Sequence, residues 1–185
     1  VNHNGWTGRT LPHPLSVDPL LCAEITFRIV KSTRGTKTLM AHEPVERKLT
    51  AILFADVKGY SRLMNEDEAL TLENLQLFRV LITSYIERHH GRVVGAPGDA
   101  LLAEFGSVVD AVEGAIEIQR ELRIRNSVVG PSRRMEFRIG INLGDVIVSE
   151  DSLYGDSVNI AARMESLALP GGICITGTVY EHIKN

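Results

Sequence analysis

Between Leu49 and Ile175 the apolar residues switch repeatedly between two spacings, and the order of those switches restricts the fold more than any other feature. Leu49-Thr-Ala-Ile-Leu-Phe-Ala55 is an unbroken apolar run, the pattern of a strand covered on both faces. A stripe at three- and four-residue intervals follows: Ala69, Leu72, Leu75, Phe78, Ile82, Tyr85 and Ile86. It predicts one long helix over about 66–90, with Asn65 and Glu68 at capping-box spacing. Arg88, His89, His90 and Gly91 close that helix, with cations at its negative end and a glycine beyond. The histidine pair therefore reads as an end cap rather than as metal ligands. Two strands over about 92–95 and 100–105 flank the tight turn Gly95-Ala-Pro-Gly-Asp99. Ser107 opens a second helix with Val108, Val112, Ala115, Ile118 and Leu122 on one face. Past Gly130-Pro131, Met135–Asn142 and Val146–Ser149 read as a hairpin turning at Gly144-Asp145. A third helix over about 157–167 and a strand at 173–175 follow. The order β-α-β-β-α-β, extended by β-α-β, predicts an α+β fold with a ferredoxin-like core and an antiparallel-rich sheet flanked by helices. In that topology the first and third strands are central neighbours.

The first 47 residues lack this regularity and hold four of the seven prolines, Pro12, Pro14, Pro19 and Pro44. They read as an irregular N-terminal extension, and the ordered domain is expected over 48–185. Met40 begins a stretch that resembles a natural start, so residues 1–39 are expected to be an upstream extension that is not native. A net charge of −3 gives no general attraction for nucleic acid or anionic membrane. Cys22 and Cys174 are the only cysteines, without ligand-like spacing, which fits a reducing cytoplasm and argues against a zinc site. The apolar stretch from Leu20 to Val30 contains Glu24 and Arg28 and is too short to span a bilayer, so no membrane contact is expected.

Asp56 ends the first strand and Asp99 enters the third, so the topology predicts two carboxylates side by side at one sheet edge. Close carboxylates repel unless they share a proton or hold a cation. Oxygen ligands at a loop-bounded edge suit Mg²⁺ or Mn²⁺ better than zinc. Each aspartate taken alone reads as a turn or helix cap. Together, beside glycines that let a phosphate chain approach the backbone, they read as a metal-nucleotide site. Asn159 and Arg163 lie four apart, on one face of the third helix, where an arginine fork can meet phosphate oxygens and an amide can donate to ribose or phosphate. That pair alone reads as a surface arginine and a helix-start asparagine.

The strings FADVKGYS (54–61), GDALLAEF (98–105) and YGDSVNIAARME (154–165), in this order and at these separations, resemble the signature of class III adenylate/guanylate cyclases. The resemblance covers about three quarters of the chain, from Lys48 to Asn185. It implies a nucleotide cyclase in second-messenger signalling that makes a 3′,5′-cyclic monophosphate and pyrophosphate from ATP or GTP. It also implies two divalent metal ions, Mg²⁺ or Mn²⁺, on Asp56, Asp99 and the backbone of Val57. The phosphate-approach loop would comprise Lys58, Gly59, Tyr60, Ser61 and Gly98. Asn159 and Arg163 would orient ribose and stabilise the pentavalent phosphorus. The site would form at a head-to-tail homodimer interface, with metal ligands from one protomer and Asn159 and Arg163 from the other.

Departures concern the base and the C-terminus. Gly95 stands where family adenylate cyclases commonly carry a base-reading lysine, and Ser152 stands where their partner aspartate is often found. Some bacterial members use serine or threonine at the second position, and Asp151 lies adjacent. ATP is the expected substrate, since no glutamate-type guanine reader occupies Gly95. The family domain continues into strands that supply a phosphate-binding lysine, so it is expected to be incomplete at Asn185; Lys184 comes too early to be that lysine. Gly95 and this incompleteness suit an alternative, a degenerate cyclase-like module that binds nucleotide or a partner without turnover. Intact Asp56, Asp99, Asn159 and Arg163 oppose it. A diguanylate cyclase would share the sheet and paired acids but lack the asparagine-arginine helix.

Overall fold

The structure is a computed structural model that describes residues 46–149 and 152–184. The chain divides into two units, Val1–His42 and Glu43–Asn185, and the described residues all belong to the second. The extension assigned to 1–47 thus lies outside the described residues, except that Glu46 and Arg47 already belong to the first strand. In chain order the elements are β1 (Glu46–Val57), α1 (Tyr60–Glu66), α2 (Glu68–Arg88), β2 (Gly91–Gly95), β3 (Leu101–Phe105) and α3 (Val108–Ser127). A 3₁₀ turn at Pro131–Arg133 then leads to β4 (Phe137–Ser149), β5 (Ser152–Tyr154), α4 (Asp156–Leu167), β6 (Ile173–Ile175) and α5 (Gly177–Ile183).

The strand order is β2-β3-β1-β4-β5, antiparallel throughout, with β6 added parallel to β4. This is the expected α+β sheet, and β1 and β3 are indeed neighbours, pairing Ala55 with Leu101. Alternation along β1 sends Ala51, Leu53, Ala55 and Val57 into a core shared with α1, α2, α3 and α5. Ile52 faces the other way, into a second cluster with Val94 of β2, Leu102 of β3, Val146 of β4, Leu153 of β5 and Ala161 of α4. Val94 and Leu153 meet there although their strands are the two ends of the order, because the sheet curls and brings β2 and β5 together. On the same face Glu104 is buried. Burial raises its pKa, but the hydrogen bonds and charges of Lys48 and Arg92 outweigh that and hold it below the usual carboxylate range.

Four local readings require correction. The helix predicted over 66–90 is two helices. Asp67, not Asn65, caps the longer one, its Oδ1 accepting from Leu70 N at 3.1 Å. The break turns the start of the stripe outward: Ala69 and Leu72 are exposed, and Thr71 is buried in their place. Gly91 does not end α2 through a positive φ; His90 takes that conformation, at 58°. Gly91 is required instead by space, since a Cβ there would lie 2.4 Å from the Phe105 ring. Leu49 is exposed, so β1 is covered on both faces only from Thr50 onward.

The fourth correction matters most for the site. Gly144-Asp145 is not a turn. β4 runs unbroken through it and pairs with β1 from Val57↔Phe137 to Glu46↔Val148. The hairpin lies further on, where Ser149 pairs with Ser152. The glycines of β4 serve the close docking of α4: a Cβ at Gly140 would lie 2.2 Å from Ala161 O and Glu165 N, and one at Gly144 2.3 Å from Ser157 Oγ. Between them Asn142 Nδ2 donates to Ser157 O at 3.0 Å, fixing the N-terminal turn of α4 to the sheet.

Candidate active site

Asp56 is the penultimate residue of β1, and its cross-strand partner on β4 is Arg138. The even-numbered residues here face α4, because Phe137, Ile139 and Ile141 fill the first core. Asp99 arrives from the loop between β2 and β3. Arg79 of α2 holds that loop, with Nη2 donating to the carbonyls of Ala96 (3.3 Å), Gly98 and Ala100 (3.2 Å). Gly98 sits at φ +58°, where a side chain is strained, so the residue before Asp99 is well suited to be glycine.

The predicted meeting of Asp56 and Asp99 occurs: the two carboxyl groups lie close enough for Asp99 to act on the ionisation of Asp56. Burial, then the hydrogen bond and charge of Asp99, then the charge of Glu165 push the Asp56 carboxyl up from 3.8 to about 6, while Arg138 acts in the opposite sense. A cation between the two carboxyl groups would relieve the same repulsion. A pair of carboxylates fits Mg²⁺ or Mn²⁺, which bind through one or two carboxylates and leave further positions for phosphate oxygens. No group of three or more His, Cys, Asp and Glu side chains suited to a metal occurs among the described residues.

The β1–α1 connection carries Lys58 and Gly59, both exposed, with Gly59 at φ +72° immediately before α1. Lys58 N donates to Glu136 O at 2.8 Å, so this loop is anchored to the segment entering β4. Ser61 is exposed, whereas Tyr60 packs against the first core. Asn159 and Arg163 are both exposed on α4, and neither side chain makes a hydrogen bond or ion pair among the described residues. One chain therefore brings the two aspartates together but leaves the asparagine and arginine free at the surface. Gly95 ends β2 next to a register shift, and Ser152 begins β5; each adjoins a residue of the second cluster, Val94 and Leu153 respectively. Asp151 lies outside the described residues.

Three side chains in this arrangement escape a reading of motifs. Arg79 and Arg138 lie in no signature string. Glu165 ends one, but two positions after Arg163 it points the opposite way on the helix and is buried with Ala161. Arg138 Nη2 lies 2.5 Å from Glu165 Oε1 and 3.4 Å from Asp56 Oδ2. The signal available was the alternation of β4, which puts Arg138 opposite Asp56 once the strand is read as unbroken. Two cavities of about 230 Å³ open on the surface, one between α3 and the start of β4, the other between α1, α2 and the 3₁₀ turn. Neither is lined by Asp56, Asp99, Asn159 or Arg163.

A curled antiparallel sheet with paired aspartates at a strand end and a helix docked across it is the arrangement expected of a nucleotide cyclase catalytic domain. Residues 43–185 match the family described as Adenylate and Guanylate cyclase catalytic domain, and the chain belongs to that family. It is 43% identical over 145 residues to the Rhizobium meliloti (strain 1021) protein named "Putative adenylate cyclase 3", covering 78% of this chain and 25% of that protein. The chain thus spans about a quarter of that relative's length. Among solved structures it resembles the adenylate/guanylate cyclase/hydrolase from Silicibacter pomeroyi (40% identity, TM-score 0.70, 75% of this chain and 81% of that one). It is also similar to the guanylyl cyclase Cya2 (26% identity, TM-score 0.67, 76% and 80%). No helix among the described residues is long and apolar enough to cross a membrane.

Proposed function

We propose that this domain converts ATP, and GTP less well, to the 3′,5′-cyclic monophosphate and pyrophosphate at a site shared by two head-to-tail copies of the chain. The observation that carries this reading is the Asp56–Asp99 pair, two carboxyl groups brought together at one end of the sheet from β1 and from the loop before β3. Asp56, Asp99 and the backbone of Val57 would hold two Mg²⁺ or Mn²⁺ ions. When bound, such ions offset the charge on the ribose 3′-oxygen as it attacks and on the pyrophosphate as it leaves. Lys58, Gly59, Ser61 and Gly98 border the phosphate chain, and Gly59 and Gly98 present backbone without a side chain in the way. Arg163 of the second copy places its fork on the phosphoryl oxygens, where negative charge grows in the transition state. Asn159 donates to the ribose and keeps its 3′-hydroxyl in line. The exposure of both groups, without partners among the described residues, is what a site completed by a second chain requires. Gly95 offers the base no side chain and Ser152 offers only a hydroxyl, so base selection rests on few contacts. The signalling role and a cytoplasmic setting follow the same reading.

The direct test is chromatographic and mass analysis of products after incubation of the protein with ATP or GTP and Mn²⁺. Cyclic AMP from ATP in excess over cyclic GMP from GTP is the expected result. Nucleotide binding without any cyclic product would favour the non-catalytic module that Gly95 makes the second reading.

A further inference from the structure

α4 carries groups for two different tasks on opposite faces. Asn159 and Arg163 face outward, whereas Glu165 is 3% exposed and faces β4. A buried carboxylate is retained only against a paired cation, and here the cation is Arg138. The geometry of that arginine is lopsided. Nη2 forms an ion pair with Glu165 Oε1 at 2.5 Å, without hydrogen-bond alignment, and donates to Asp56 Oδ2 at 3.4 Å, the long limit of a hydrogen bond. Arg138 Nε is buried with no acceptor, so the guanidinium has donor capacity in reserve. Its backbone is registered directly opposite Asp56, so a small side-chain rotation would bring it fully onto that carboxylate. A guanidinium docked on Asp56 would occupy the oxygens a divalent cation needs.

We propose that Glu165 is a positioning residue that keeps Arg138 at a long contact with Asp56 rather than a close one, and so leaves the carboxylate pair available to metal. The close backbone approach at Gly140, which sets Glu165 N against β4, supplies the rigidity this tether needs. The inference rests on the reading of Asp56 as a metal ligand, and the experiment separates the two.

Mn²⁺ binding to the protein alone is measured by electron paramagnetic resonance, alongside the Mn²⁺ dependence of turnover. In Glu165→Gln the freed arginine moves onto Asp56, and Mn²⁺ affinity falls about tenfold, the range found for groups that orient metal ligands. Turnover returns toward the wild-type rate at saturating Mn²⁺. Arg138→Gln/Glu165→Gln removes the competing cation as well, and its affinity returns to within about twofold of wild type. Should Glu165→Gln lose its fold, Glu165→Asp keeps the charge but withdraws it by one methylene, and a smaller loss of affinity is expected. Wild-type Mn²⁺ affinity in a folded Glu165 variant overturns the tether. Equal weakness in the single and double variants also overturns it, since the carboxylate would then act by its own charge and not through Arg138. Asp56→Asn distinguishes the levels: if Mn²⁺ binding survives that change, the metal-site reading itself fails.

Discussion

Replacing Asp56 by asparagine is expected to stabilise the metal-free protein while abolishing turnover. The Asp56 carboxyl is pushed up from 3.8 to about 6, chiefly by burial and then by Asp99. Two units correspond to about 3 kcal/mol at most. The side chain is 25% exposed, however, and screening at a partly exposed group leaves about 1 kcal/mol. The sign follows from linkage: with the folded pKa above the unfolded one, the favourable contribution is complete below pH 3.8 and is lost as the pH rises through about 6. Asparagine does not ionise, so its advantage is absent near pH 4, grows between pH 4 and 6, and is level above pH 7. For a protein of this size that is a rise of about 2–4 °C in Tm at neutral pH. The assay is thermal or urea unfolding of both proteins in EDTA at pH 4 and 7.5. Millimolar Mn²⁺ at pH 7.5 is expected to stabilise the wild type and leave the variant unchanged. An asparagine variant no more stable than wild type at pH 7.5, or equally favoured at pH 4, would refute the claim that the two carboxylates are held together against repulsion.

Three further outcomes follow from the same geometry. Arg79→Met releases the loop carrying Asp99 and is expected to lower kcat/KM by at least about tenfold, from the loss of charged hydrogen bonds worth about 1.5–3 kcal/mol; an unchanged metal dependence would remove Arg79 from the site. Gly140→Ala drives a methyl group into the α4 backbone and is expected to cost about 1–3 kcal/mol in urea unfolding, and neutrality there would mean that α4 is free to lift. Gly95→Lys with Ser152→Asp is expected to raise the preference for ATP over GTP by about 1–3 kcal/mol in kcat/KM, and an unchanged ratio would show that these positions do not read the base.

The order of strands and helices was legible because each element carries its own period, and that order alone brought Asp56 and Asp99 together. What escaped was information held between elements. Gly144-Asp145 has the composition of a hairpin turn, yet Gly144 is small for the sake of Ser157, a residue of α4 that strand periodicity does not mention. Gly91 likewise resembles a helix terminator but makes room for Phe105. Asn65 and Asp67 are both competent caps, and the choice between them depends on α1 ending at Glu66. Misreading β4 as two strands also hid Arg138, because only the unbroken register sets it against Asp56. Asn159 and Arg163 were legible as one helix face, while the ion pair on the opposite face, Glu165 with Arg138, joins segments far apart in sequence.

The most direct test of the shared site is complementation between two inactive chains. Asp56→Ala lacks a metal ligand in both sites of a homodimer, and Arg163→Ala lacks the phosphate fork in both, so each alone is expected to make no cyclic nucleotide. After chain exchange, half of the dimers are mixed, and in each of these one site collects both defects while the other collects none. About a quarter of wild-type activity is then expected from the mixture. Exchange demonstrated by differently tagged chains, with no activity recovered, would contradict a site that takes its aspartates from one protomer and its arginine from the other.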